Sequence, residues 1–346
     1  MNAVSPELEK QTPPPQAVLM QMSMGFIVSQ AISVAAKLYI ADHLKDGAKN
    51  VEQLAWLTET NQPALYRLLR ALGSIGVFAE DEDSYFSLTP LSEFLRSDHP
   101  ESLRGIAHMI CDREHWNAHG NLLHSVKTGG IAFENAFGQP FFPYLQDKPE
   151  TARIFDDAMT SFSKTVGNAV AAVYDFSEAK TIADIGGGHG RLLSTVLKTN
   201  ENAKGILFDQ PQVVAGADEV LENAGVTGRV EIVGGDFFAE IPVEADIYLM
   251  KHIVHDWNDE ESVSILQNIA KSAKLGAKVL LVESVVEAEK GIPSMSKVMD
   301  LNMLAMTSGR ERTAKEYAEL FEKAGFKLTN VIPTPSPLQI VEAIKS

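Results

Sequence analysis

The chain has 346 residues, of which 45% are hydrophobic, and a formal net charge of −16 at neutral pH. That length suffices for about two domains and a substantial core, while the acidic excess would repel a phosphate backbone and so argues against sequence-independent nucleic-acid binding outside a hidden basic patch. The single cysteine, Cys111, excludes an intrachain disulfide and an all-cysteine metal site within one chain, which fits a reducing cytoplasm, and small-molecule chemistry is favoured.

In chain order, residues 1–16 carry acids and Pro13-Pro14-Pro15 in place of the charged n-region and apolar core of a secretory signal, and read as a loose tail. Residues 17–40 are apolar enough to raise a membrane span, but Gln21, Ser23, Ser29, Gln30, Ser33 and Lys37 interrupt them, which favours a packed or interface helix. Residues 51–57 and 64–72 form short helices, the second opened by Asn61 as cap and by Pro63, whose missing N–H has no partner in a first helical turn anyway. Residues 77–80 and 85–88 read as a hairpin around the acidic tip Asp81-Glu82-Asp83, completing a winged-helix unit. An acidic tip without a basic recognition face opposes DNA binding. The wing is then structural, and residues 17–100 are expected to pack against a second copy of the chain. Residues 101–178 read as mostly helical, rich in Phe, Met, His and Trp116. Most of these are core, and a minority can roof a pocket, since ligand sites are largely apolar with a few polar anchors.

The organising stretch is Thr181 to Arg191, an apolar run ending in Asp184, followed by Gly186-Gly187-Gly188-His189-Gly190 and a helical segment. It reads as a strand turning tightly into a helix, with glycine letting a ligand approach the main chain and helix N–H groups free for an anionic group. The dinucleotide pattern G-x-G-x-x-G fails, because Arg191 stands where its third glycine belongs. The segment is similar instead to the D-x-G-G-G-x-G loop with which S-adenosylmethionine (SAM) methyltransferases hold the methionine end of their cofactor.

Short apolar runs at residues 205–209, 229–233, 245–250, 277–283, 326–329 and 338–343 alternate with helices, two of them opened by capping boxes, Asn258 with Glu261 and Thr313 with Glu316. This predicts an α/β fold with a doubly wound, mostly parallel, Rossmann-like sheet over residues 179–346, its site at the strand C-termini. Asp184, Asp209, Asp236 and Glu283 fall at those ends. Any one of them could be only a cap or turn former. Asp209, about 20 residues beyond the glycines, is placed for ribose hydroxyls, and Asp236 for the adenine amine with Phe237 against the ring. The fourth strand runs into Lys251-His252-Ile253-Val254-His255-Asp256-Trp257. A phenol, with a pKa of about 10, needs a base before it can attack a sulfonium methyl at neutral pH, and histidine is the side chain best matched to that task. His255 is favoured as nearer the mouth of the sheet. His252, like His43, His99, His108, His115, His119 and His124, reads as a hydrogen-bonded structural residue.

With these motifs and Arg310-Glu311-Arg312-Thr313, the chain resembles the small-molecule O-methyltransferase family that includes the plant caffeic acid enzymes, hydroxyindole O-methyltransferase and bacterial natural-product enzymes. The resemblance covers nearly the whole chain after the tail and implies an N-terminal helical winged-helix dimerisation domain over 17–100, followed by a SAM-binding methyltransferase domain over 101–346. It implies His255 as catalytic base and Glu283 and Glu311 as the acids that orient it. Gly186, Asp209, Asp236, Phe237, Lys251 and Ser163 match cofactor contacts; Asp184, Gly187, Gly188 and Gly190 of the loop, with Gln210 and Trp257 of the matched motifs, complete that set. Phe155, Met159, Asp300 and Met303 correspond to substrate-pocket positions, joined by Trp116 from the roof. No metal is required, because cofactor and base account for the strand-end acids. Gln210-Pro211 replaces the Leu-Pro common in the family, and residues 306–309 differ from the plant phenylpropanoid enzymes, whose substrates therefore do not transfer. The expected reaction is in-line methyl transfer to an aromatic or enolic hydroxyl; methyl transfer to nitrogen or carbon, a SAM-binding protein without chemistry, and a winged-helix regulator are the alternatives.

Overall fold

Proline fixes φ at a value suited to a helix start, and Pro15 opens the first helix, Pro15–Ser23, of the computed structural model, which describes residues 13–346. Most of the expected tail thus lies outside the described residues, and its last two positions, Pro15 and Gln16, are already helical. The structure divides into two compact units, the first ending at Ser97 and the second running from Asp98 to Ser346.

In the first unit the chain turns at Met24 (φ −87°, ψ −3°) from Pro15–Ser23 into a second helix, Gly25–Lys37. By length and composition the stretch Pro15–Lys37 could cross a membrane. Its apolar side chains Leu19, Met20, Met22, Phe26 and Ile27 are exposed. Val51–Leu57 and Gln62–Ser74 follow, capped by Asn50 in a box with Gln53 and by Asn61, which accepts from the Ala64 N–H. A small antiparallel sheet in the order β1 (Lys49–Asn50), β3 (Tyr85–Leu88), β2 (Phe78–Glu80) forms the wing. The two-residue β1 is too short to show as a sequence pattern. Asp81 at the wing tip accepts from the N–H groups of Asp83 and Tyr85, so this acid shapes the turn.

The second unit holds a seven-stranded sheet: β4 (Thr181–Ile185), β5 (Lys204–Asp209), β6 (Val230–Gly234), β7 (Ile247–Lys251), β8 (Lys278–Glu283), β9 (Phe326–Pro333) and β10 (Gln339–Lys345), in the order β6-β5-β4-β7-β8-β10-β9. The first five strands are parallel, and β10 runs antiparallel to β8 and β9. Alternation along the strands sends Ala183, Ile185, Phe208, Tyr248 and Leu281 into one core and Ile182, Leu207, Leu249, Leu280 and Val282 into the other. Both faces are covered by helices, as parallel strands require. Strand order reverses between β4 and β7, whose register pairs Asp184 with Leu249. A reversal of this kind opens a crevice at the strand C-termini, and it sets the glycine loop after β4 beside the histidine turn after β7.

Candidate active site

The crevice has two walls. On one side the Gly186 and Gly187 N–H groups donate to the Phe208 carbonyl at 2.8 and 3.3 Å, which bends the chain away from the sheet. Gly186 has φ +69°, a backbone conformation that glycine adopts without strain, and a Cβ there would lie 2.5 Å from Ile253 Cδ1, so a side chain at this position would also have to displace the histidine segment's isoleucine. Asp209 accepts from the Gly188 N–H (2.8 Å) through Oδ2 and from the Gln210 N–H (2.7 Å) through Oδ1. Burial raises its pKa against those two bonds. Asp184 sits beneath the loop, 1% exposed, accepting from Leu193 N–H at 3.3 Å; burial pushes it up to about 7. It supports the loop from below.

The other predicted cofactor residues are distributed as follows. Asp236 is exposed and accepts from the Phe238 N–H, while Phe237 meets Phe238 and Trp257 edge to face. Lys251 ends β7 with its ammonium 5.8 Å from the Phe162 ring centre, and burial lowers its pKa. The Ser163 hydroxyl, on the helix Pro149–Val173, donates to the Met159 carbonyl at 2.6 Å. Gln210 turns its side chain towards Gln146 and Gln212. Asp156, on the same long helix as Ser163 and not singled out in the sequence, is raised by burial and by Asp209, with His189 opposing.

On the second wall, β7 ends in a 3-10 turn, Val254–Asp256, that carries His255, 6% exposed. Its Nδ1 lies 3.0 Å from Glu311 Oε1 and 3.9 Å from Glu283 Oε2, and its Nε2 lies 3.6 Å from Asp256 Oδ1. Glu311 is therefore the direct partner. Glu283, the last residue of β8, accepts from the Ile253 and Val254 N–H groups through Oε1 and so holds the turn. Glu283 Oε2 and Glu311 Oε2 are buried without hydrogen-bond partners. Burial pushes Glu283 and Asp256 up to about 7 and Glu311, with the help of neighbouring Asp300, up to about 8.

The Glu311 loop is tied to the turn by groups the sequence reading passed over. Arg312, fully buried, donates to the Val254 carbonyl (2.9 Å), to the Trp257 carbonyl (2.8 Å) and to Asp259 (2.8 and 3.0 Å). A Cβ on Gly309 would lie 1.9 Å from the His255 carbonyl oxygen, so only a residue without one permits this approach. Asp300, expected in the pocket, accepts from the Glu311 N–H at 2.9 Å. An arginine and a glycine flanking the candidate acid were the available signals.

Of the expected pocket residues, Phe155 packs edge to face on Phe141 and Phe142, and Phe142 stacks on Trp257 at 5.5 Å. Met303 is buried, whereas Trp116 is 40% exposed. Phe142 thus links the aromatic roof to the histidine motif, a connection no spacing signals. His252, His255 and Glu283 offer ligand atoms within 4.8 Å of one another, as a metal ion would need. The two imidazoles, however, are stacked with planes 16° apart. Their in-plane lone pairs run side by side and do not converge on one ion.

A doubly wound sheet with a glycine loop, an acid ending the next strand and a buried histidine–carboxylate pair is the arrangement expected of the class of SAM-dependent methyltransferases. Residues 119–327 match the O-methyltransferase domain and residues 20–98 the O-methyltransferase dimerisation domain, and the chain belongs to that family. It is 45% identical to phenazine O-methyltransferase PhzM of Lysobacter antibioticus, over 95% of this chain and 96% of that protein. The crystal structure of LaPhzM superimposes with a TM-score of 0.92 at 44% identity, covering 96% of this chain and all of the other. CalO1, a methyltransferase of calicheamicin biosynthesis solved with S-adenosylhomocysteine (SAH), matches at a TM-score of 0.84 and 33% identity, covering 97% of this chain and all of that one. The protein is a SAM-dependent O-methyltransferase.

Proposed function

We propose that this enzyme methylates a phenolic or enolic hydroxyl on a small, fused-ring aromatic natural product, with His255 as general base. The observation that carries the reading is the 3.0 Å contact of His255 Nδ1 with Glu311, in a turn that Glu283 and Arg312 hold from both sides. With Nδ1 donating to Glu311, Nε2 keeps its lone pair for an acceptor hydroxyl. The name of the phenazine relative supports a fused aromatic acceptor, as does the aromatic lining from Phe155 through Phe142 to Trp257.

The residues present fit SAM. Burial is the first cause raising Asp156, Asp184, Asp209, Asp256, Glu283 and Glu311, and a neighbouring acid adds to it for all of them but Asp209, a crowding of carboxyls that a bound sulfonium would relieve. A Cβ on Gly188 would meet nothing within 4 Å, which leaves open space above the loop beside Asp209. The loop of residues 186–190, with Ser163 and Lys251, would hold the methionine end, Asp209 the ribose, and Asp236 with Phe237 the adenine. When bound, SAM supplies an electrophilic methyl carbon for in-line attack. His255 takes the acceptor proton at Nε2, Glu311 stabilises the imidazolium through Nδ1, and Glu283 keeps the turn from moving as the charge develops. Phe142, Phe155 and Trp257 exclude water from the acceptor.

The working assembly in this reading is a homodimer formed through the first unit, whose exposed Leu19, Met20, Met22, Phe26 and Ile27 form an apolar stripe. Sedimentation of wild type against Ile27→Glu tests it: a dimer turning to monomer is expected, and a monomeric wild type would refute it. The reaction is tested by incubating the protein with SAM and matched hydroxylated and amino phenazines, naphthols and cyclic enols, following SAH release. Hydroxyl substrates should turn over and His255→Ala should not. Turnover confined to amino substrates would assign a nitrogen acceptor.

A further inference from the structure

His252 is in the left-handed region, φ +54°. Such backbone is strained for most residues and is tolerated best by Gly, Asn, Asp and His. The strain has a geometric result. The His252 ring lies flat against His255, with centroids 4.5 Å apart and planes at 16°, and its other neighbour is the Phe162 ring at 5.3 Å and 14°. The long helix Pro149–Val173, which carries Phe162, therefore backs a column of near-parallel rings that ends on the base. The His252 N–H donates to the Val282 carbonyl at 3.2 Å, so the segment is anchored to β8 as well.

We propose that His252 is a positioning residue for the general base: its ring fixes the plane of the His255 imidazole, and its π face favours the imidazolium formed when the acceptor proton arrives. The inference rests on the assignment of His255 as base. The charged groups around His255 are Glu311 from the loop after the helix Met295–Met306, Glu283 from β8, Asp256 from its own turn, Lys251 from β7, and Asp300 and Arg312 behind Glu311. Burial, Lys251 and His255 together hold His252 well below the usual histidine range, so it stays neutral and its ring remains a π surface when His255 takes a proton. Two adjacent imidazolium rings are thereby avoided.

The test compares His252→Asn, which tolerates the same backbone but has no ring, with His252→Phe, which keeps a π face without nitrogen, and Phe162→Leu, which removes the backing ring and leaves the backbone alone. Each variant is checked for folding by thermal melting and SAM binding by calorimetry, and its kcat is followed from pH 5 to 9 at saturating SAM. The acid limb of that profile reports the base and its carboxylate partner. His252→Asn should lower kcat about tenfold and move the acid limb down by about half a unit; Phe162→Leu should move it less in the same direction, and His252→Phe should keep the wild-type limb. A ring that only fills space would admit water when removed and move the limb up or not at all. An acid limb unmoved or raised in both His252→Asn and Phe162→Leu overturns the proposal. Full turnover by His255→Ala would instead remove the base assignment on which it rests.

Discussion

The two walls of the crevice are built on different physics. The proposed cofactor wall is centred on main chain: Gly186, Gly187 and Gly188 N–H groups are each bonded, and Asp209 has both oxygens engaged. The base cluster is assembled from side chains far apart in sequence, with His255 and Glu311 separated by 56 residues, and it retains buried carboxylate oxygens without partners. Both walls bury acids, but Asp209 has its oxygens bonded to the backbone whereas the base wall leaves carboxylate oxygens of Glu283 and Glu311 without partners. Damage to the first should therefore appear in cofactor affinity, and damage to the second in turnover and in the response to pH.

The sharpest way to break this comparison is His255→Ala, expected to lower kcat by about 10²–10⁴-fold while SAM affinity by calorimetry stays within a few-fold. A parallel loss of SAM binding would merge the two walls into one functional unit. Next in size is Asp209→Asn, expected to raise the KM for SAM by about 10–100-fold, the scale of hydrogen bonds to a charged acceptor, with kcat changed far less. Arg312→Met should cost about 2–4 kcal/mol in chemical denaturation, because the Val254 and Trp257 carbonyls lose a buried donor. Its kcat should fall without a matching rise in the KM for SAM. Equal changes in both parameters would place Arg312 in the cradle.

The same contrast explains what the sequence disclosed. The Asn258–Glu261 and Thr313–Glu316 capping boxes, the glycine loop and the strand-terminal acids are local patterns, each set by residues a few positions apart, and the structure carries all of them. The resemblance to the O-methyltransferase family, which the comparisons bear out, covers both units. Arg312, Gly309, Phe142 and the ring of His252 were not legible as functional. Arg312 reaches a carbonyl 58 positions away, Gly309 matters only because another backbone lies where its Cβ would stand, and Phe142 meets Trp257 only after the roof helices have folded. A positive φ at His252 has no signature in a run of strand-forming neighbours. Periodicity reports which face of an element is buried, and it carries no information about which distant loop arrives there.

The effect that isolates the cost of the base wall is on stability. Glu311 has a folded pKa of about 8 against an ordinary value of 4.5, raised first by burial and then by Asp300, with Arg312 opposing. Below pH 4.5 it is protonated in both states and costs nothing. As pH rises from there the unfolded chain releases the proton while the folded protein keeps it, so stability falls across the window and levels off above about pH 8. Glu283, raised to about 7, acts with the same sign and levels off earlier. Glu311→Gln keeps an acceptor for His255 Nδ1 and removes the titration. Its melting temperature should match wild type near pH 5 and exceed it by about ten degrees or more at pH 8, since a shift from 4.5 to about 8 is worth roughly 5 kcal/mol and about 1 kcal/mol is worth roughly 2–4 °C in a chain of this type. Turnover should fall in the same variant above about pH 8, where the wild-type carboxylate is ionised and can balance the imidazolium. Parallel melting curves for the two proteins from pH 5 to 8 would mean that Glu311 is ionised without penalty, and the base wall would then be as well satisfied as the cradle.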